Sequence, residues 1–211
     1  MRRVADDNAE TSRIMLSLLD AVERDQVQSQ RHLAAELNIA LGLVNAYLKR
    51  SVKKGLVKVG HAPARRYAYY ITPRGFAEKS RLTVEYLSSS FGFFRQAKRD
   101  FTEQLQIAKL RGVEKLILVG KSDLAEIATL CAMEQGIGIV GLVQAGGTQG
   151  KFIGLPVFAD FESVTGPFDS VLITEMDDIH GACEKAVDRF GADRVLVPEL
   201  LRVRNRHRAG S

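Results

Sequence analysis

The sequence predicts a mixed α/β chain in two parts: short helices closed by a strand hairpin, then, past a connecting helix, a parallel sheet with intervening helices. Three observations predict it. Apolar residues recur at helical spacing from Thr11 to about Lys54, and two β-rich runs bounded by turn residues follow. Beyond residue 112, short apolar runs alternate with amphipathic ones, the pattern of strands separated by helices. The 211 residues have room for two small domains, and the expected divisions are 1–87, a connecting helix 88–112, a second domain 113–203 and a basic tail 204–211.

The first helix is expected over Thr11 to Arg24, where Ile14, Met15, Leu18, Leu19 and Val22 line one face. Ser29 is a good N-cap for a second, Gln30 to Leu37, with Leu33, Ala34 and Leu37 inward. Asn38 sits where the turn needs a left-handed residue, which asparagine tolerates. A third helix runs from Leu41 to Lys54, with Val44, Leu48 and Val52 toward the core beside Tyr47. This is the spacing of a helix-turn-helix, in which small Ala34 lets the helices approach and Val44 plugs their crossing. Gly55 stops the third helix. Leu56 to Val59 and Tyr67 to Thr72 then form a hairpin around the turn-rich His61–Arg66, and Pro73 opens a fourth helix. A hairpin directly after a recognition helix is a wing.

The outward face of the third helix presents Gly42, Asn45, Ala46, Lys49, Arg50 and Lys53. Small residues near its start let it enter a major groove, Asn45 can read a base edge, and the three cations suit phosphates. Gln30 and Arg31, at the start of the second helix, and Arg65 and Arg66, at the wing tip, complete the candidate double-stranded DNA surface.

Charge agrees with this. The formal net charge is +5, but residues 1–87 hold 15 Lys/Arg against 9 Asp/Glu, whereas residues 112–199 hold 6 against 14. Ser29 to Arg81 alone contains 11 cations and only Glu36 and Glu78 as acids, the footprint of a nucleic-acid surface.

The run SQRHLAAELNIALGLVNAYLKRSVKKGLVKV, followed by YAYYITPRGFAEKSRLTVEYL, resembles the MarR-type winged-helix regulators associated with bacterial exopolysaccharide gene clusters. The resemblance covers about residues 10–87 and implies transcriptional control, with the Leu41–Lys54 helix as base reader.

Ser88-Ser-Ser90 reads as a small polar break. After it, Phe91, Phe94, Phe101, Leu105 and Ala108 lie on one face of a helix, either packed on its own domains or forming the seam of a homodimer on two half-sites.

In the back half, strands are expected at Lys115–Val119, Ile137–Val143, Leu155–Phe158, Ser170–Thr174 and Arg194–Val197, with helices at Asp123–Gln135 and Asp177–Phe190. The strand-to-helix turn GKSDLAE is the natural anion site of such a fold. A dinucleotide fingerprint needs glycine at 120, 122 and 125, but the chain has Gly120, Ser122 and Ala125, and Gln144 stands where an NAD binder places an acid. This half resembles the Rossmann-like domain of bacterial sugar acyltransferases and polysaccharide-synthesis enzymes, and also the redox-sensing repressor Rex. Those resemblances rest on Gly120, Gly141, Gly154 and Pro156. They imply a small-molecule effector, a nucleotide sugar or related phosphorylated metabolite, with NAD(H) as the alternative; the candidate ligand residues are Gly120, Lys121, Ser122, Asp123, Gln144, Gly154, Pro156 and Thr174.

No catalytic or metal-ligating set stands out. His32, His61, His180 and His207 are scattered, and Cys131 and Cys183 fall within helices as packing residues. The longest uncharged apolar stretch, Gly136 to Val143, is far short of the ~20 residues that cross a membrane, and the N-terminus lacks a signal-peptide core. The expectation is a cytoplasmic, dimeric DNA-binding regulator with a Rossmann-like effector domain. A sugar-nucleotide-binding enzyme module on a DNA tether is the rival from another class.

Overall fold

The computed structural model describes residues 2–24, 29–62, 66–147 and 150–205, without the side chains of 2–9, 61, 62, 66, 67 and 203–205. The chain divides into two compact units, Met1–Phe91 and Gly92–Ser211. Among the described residues no helix is long and apolar enough to cross a membrane.

Unit 1 is built as the apolar spacing demands. Helix α1 (Arg2–Arg24) is followed by α2 (Gln30–Glu36) and α3 (Leu41–Lys53), then by the antiparallel strands β1 (Val57–Ala62) and β2 (Arg66–Ile71). Ser29 caps α2, its Oγ accepting the His32 N–H at 3.1 Å, and Asn38 takes the left-handed conformation at φ 50°. Met15, Leu18, Leu19 and Val22 of α1 meet Leu33, Val44, Leu48, Leu56, Val57, Tyr69 and Leu82 in one core. Leu18, Leu19 and Leu33 are fully buried, each contributing about 2 kcal/mol. Two inward positions differ from expectation: Ile14 is half-buried outside this core, and Val52 is 40% exposed with Ser51 buried in its place. The Ser51 hydroxyl donates to Met15 Sδ at 3.3 Å, which satisfies a polar group that would otherwise be costly inside.

Helix α4 (Pro73–Leu110) runs through Ser88–Ser90 without interruption, so the expected break there is absent. Serine costs a helix interior only a few tenths of a kcal/mol, too little to end one flanked by good formers. In unit 1, Lys79 of α4 pairs with Asp20, at 2.6 Å, and with Glu23 on α1. The ammonium of Lys79, donating to Asp20, holds that carboxyl below its ordinary 3.8. A depressed carboxyl adds stability above its unfolded value and loses it as pH falls through the folded one. Asp20→Asn should therefore lower unfolding free energy at pH 7 by about 0.5 kcal/mol, discounted because Asp20 is half exposed. Urea titrations should show parent and variant converging as pH falls past 3.8.

In unit 2 the strands β3 (Lys115–Val119), β4 (Gly138–Val143), β5 (Gly150–Phe152), β6 (Leu155–Phe158), β7 (Ser170–Ile173) and β8 (Val195–Leu196) form one sheet in the order β5-β6-β4-β3-β7-β8. All neighbours are parallel except β5 and β6. The five parallel strands thus follow the 3-2-1-4-5 part of the doubly wound order, with the reversal between β3 and β7. Helix α5 (Asp123–Gln135) links β3 to β4, and α6 (Ile179–Phe190) links β7 to β8. The connections into β6 and β7 carry no α-helix, a departure from strict alternation.

Phe101, Leu105 and Ala108 of α4 are buried in the core of this unit, with Leu116, Leu118, Leu124, Leu142 and Leu172. They therefore do not form the dimer seam; only Phe91 and Phe94 of that set are exposed. The short α7 (Glu199–Asn205) extends past the expected end of the domain at 203. Its Leu200 N–H donates to Asp100 Oδ2 at 2.8 Å.

Candidate functional site

The exposed side of unit 1 gathers most of the expected DNA surface. Gly42, Ala46, Lys49 and Lys53 follow one another at helical spacing on the side of α3 away from Val44, Leu48 and Ser51, and Arg50 lies beside them. All five are exposed, and Asn45 is half-buried at the edge of the same face. Ala40 offers no side-chain cap to α3, and its carbonyl oxygen accepts the Leu43 and Val44 N–H groups at 2.9 and 3.1 Å. Arg31 is exposed on α2. Gln30 is differently employed: its Nε2 donates to Tyr69 Oη at 2.9 Å, bracing α2 against β2. Arg65 lies outside the described residues. Arg66 begins β2, and its side chain lies outside them too.

The base of the wing is a tight joint. Thr72 Oγ1 donates to Gly55 O at 2.7 Å and accepts the Gly75 N–H at 3.0 Å, and the Thr72 N–H donates to Leu56 O at 3.0 Å. One threonine thus ties the end of α3, the start of β1 and the first turn of α4 together, fixing the hairpin beside α3.

Unit 2 holds a cavity of about 860 Å³ at the carboxyl ends of β3, β4, β6 and β7, the crevice where open parallel sheets place ligands. Of the expected ligand residues only Gly120 and Gln144 line it. Gly154 lies in the turn between β5 and β6, and Pro156 is an exposed residue of β6, so neither reaches it. Lys121 and Asp123 are exposed, and the Lys121 ammonium lies 5.2 Å from the Phe152 ring centroid.

Four of the six backbone N–H groups from Gly120 to Ala125 are already taken within the unit. The Gly120 N–H donates to Val143 O at 2.9 Å, Lys121 N–H to Gln144 Oε1 at 2.5 Å, Leu124 N–H to Ser122 Oγ at 3.2 Å and Ala125 N–H to Ser122 O at 3.0 Å. Ser122 Oγ in turn donates to Thr174 O at 2.6 Å, and buried Thr174 Oγ1 donates to Gly120 O at 2.7 Å. These residues do converge, but on one another.

The sequence reading missed the carboxylates. Asp160, Glu162, Glu175, Asp177, Asp178 and Asp188 line the cavity against only Lys185 and Arg189 as cations. They lie in the segments leaving β6 and β7 and on α6, and the position of those segments past the strand ends was the available signal. Several have structural work: Asp178 caps α6 through the Gly181 N–H, Glu175 Oε1 accepts the Met176 and Asp177 N–H groups, and Glu162 pairs with Arg189. The Ser163 hydroxyl and N–H hold the Asp160 carboxyl below its usual range. A pyrophosphate here would meet more negative than positive charge, opposite to what the expected ligand class needs. Among the described residues no group of three or more His, Cys, Asp or Glu can hold a metal ion. Burial raises the thiols of Cys131 and Cys183, the opposite of what a reactive cysteine requires.

Residues 11–58 match the family model described as winged helix-turn-helix DNA-binding. No curated protein matches the chain. Among solved structures it is similar to the PcaV transcriptional regulator from Streptomyces coelicolor in complex with its natural ligand, at 19% identity and TM-score 0.36 over 38% of this chain and 59% of that one. It is also similar to a MarR family transcription regulator, at 17% identity and TM-score 0.36 over 53% of this chain and 83% of that one. Human N-acetylserotonin methyltransferase in complex with SAM is similar at 12% identity and TM-score 0.28, over 94% of this chain and 65% of that one. The chain spans about three-fifths of the length of the first of these. Scores this low carry no functional weight, whereas the family match falls on the same α1–α3 and β1 segment whose exposed face is cationic. This chain therefore carries a winged helix-turn-helix DNA-binding segment.

Proposed function

We propose that the protein is a transcription regulator that docks α3 in the major groove of an operator and carries a small-molecule effector site in unit 2. The observation that supports DNA docking most directly is the exposed face of α3, with Lys49, Arg50 and Lys53 clear of the core on the element that the family match covers. Helix-turn-helix proteins place that helix in the groove and pair on two half-sites, so a homodimer belongs to the proposal. Phe76, Val84, Leu87 and Phe91 share one face of α4 in unit 1 and are 45–63% exposed, which supports pairing there in place of the seam first expected. The exopolysaccharide-type resemblance of residues 10–87 proposes polysaccharide-biosynthesis genes as targets. The effector enters at the crevice beyond β3, β4, β6 and β7. The carboxylate-rich lining weighs against the nucleotide sugar, and the same lining weighs against an NAD(H) sensor. A thermal-shift panel of UDP-sugars, NAD(H) and cationic amines decides, since a ligand of the folded state raises the melting temperature.

The experiment for DNA docking is the triple variant Lys49→Ala, Arg50→Ala, Lys53→Ala. Each lost phosphate contact forgoes counterion release of about 1 kcal/mol near 0.15 M salt, so duplex affinity should fall about 100-fold. The slope of log K against log salt should shrink by about 2.7 for three contacts. A parent protein without salt-dependent duplex binding, or a triple variant that binds like the parent, would overturn the reading.

A further inference from the structure

Along α3, the leading and trailing turns differ in chemistry. Cations begin only at Lys49; before it, the exposed residues are Leu41, Gly42, Leu43 and Ala46, with Asn45 at the edge. Leu41 and Leu43 are 39% and 40% exposed and take no part in the core of unit 1, so the first turn of α3 presents two large apolar side chains to solvent. Helix-turn-helix proteins read base edges with the N-terminal residues of this helix, while later cations meet phosphates. Guanine is read by arginine or lysine on its O6 and N7, and α3 has neither in its first two turns. What it does have matches the other pair. A small apolar side chain packs on the thymine C5-methyl group, and an asparagine amide can bond adenine at N6 and N7.

We propose that α3 selects A·T pairs in the major groove, with Leu43 and Ala46 packing on thymine methyl groups and Asn45 reading adenine. This rests on the docking of α3 proposed above, and it adds the base class and a specificity residue, Leu43. The flanking Lys49, Arg50 and Lys53 supply the complementary charge that brings this otherwise apolar face against DNA. Gly42, with no heavy atom near its Cβ position, leaves room for the groove wall to come close to the helix start.

The test uses the full chain. Duplexes enriched from a random pool give a bound sequence, and each thymine in it is then replaced singly by deoxyuridine, which removes only the methyl group. The expected result is a half-site core of A·T pairs and an affinity loss of about fourfold at each contacted thymine, the worth of one buried methyl. Leu43→Ala should bind more weakly than the parent and be insensitive to deoxyuridine at one of those positions. Because Leu43 is exposed, this variant should keep the parent's melting temperature. A core of G·C pairs, or full affinity for every deoxyuridine duplex, overturns the inference while salt-dependent binding still upholds DNA docking. Absence of any duplex binding overturns both.

Discussion

Gly75→Ala should unfold the winged helix. A Cβ at this position would stand 2.0 Å from Leu56 O and 2.9 Å from Ile71 Cγ1. The carbonyl has no freedom to retreat, because it already accepts the Thr72 N–H at 3.0 Å and lies 3.2 Å from Thr72 Oγ1. Relieving the clash pushes α4 away from the start of β1 and breaks the Thr72 joint. Overpacking of about 1–3 kcal/mol adds to about 1 kcal/mol for each broken hydrogen bond, roughly 4 kcal/mol together. That is most of the stability of a small unit. Urea unfolding should show the unit 1 transition lost or moved to low denaturant, and duplex binding should vanish with it. Gly92→Ala is the control: it lies inside α4 with open space at the Cβ position, so alanine there should stabilise by about 0.5–1 kcal/mol. A Gly75→Ala protein as stable as the parent would show that the joint yields.

The second large effect is expected at Gly120. Its φ of 100° is rarely open to other residues, and a Cβ would lie 2.3 Å from Glu175 Cα and 2.5 Å from Glu175 N. Both atoms are backbone just past β7, so alanine drives β3 and β7 apart where the sheet order reverses. Strain and overpacking together cost about 4 kcal/mol, lowering the melting temperature of unit 2 by about 15 °C. The result also decides why the glycine is there. If it served only to let a ligand approach, the alanine variant would melt like the parent and lose effector binding alone. A large fall in melting temperature without any ligand assigns Gly120 to the packing of the chain on itself.

Much of this architecture was legible because the residues involved answer to local rules. The expected spans of Lys115–Val119, Asp123–Gln135 and Leu155–Phe158 coincide with β3, α5 and β6, each bounded by a residue with a mechanical reason to stop. Ser122 caps one end of α5, and left-handed Gly136 closes the other. What was illegible depended on partners distant in sequence. Strand β5, Gly-Lys-Phe, is three residues with no apolar alternation, and it exists because β6 offers an edge. The burial of Ser51 instead of Val52 follows from the position of Met15, about 36 residues earlier. Phe101 and Leu105 have the spacing of a seam, and nothing local tells a seam from a core that closes over it. The α3 cations were found at once, being a matter of helix period and charge. The cavity carboxylates come from three separate segments, and only the sheet brings them to one rim.

Gln144 carries a consequence for how unit 2 can respond to small anions. Its side-chain oxygen takes the Lys121 N–H at the turn where comparable sheets seat a phosphate oxygen. Being tethered, it competes as an intramolecular rival whose effective molarity far exceeds that of a dissolved metabolite. Any incoming phosphate must evict this resident stopper before it gains the Lys121 N–H.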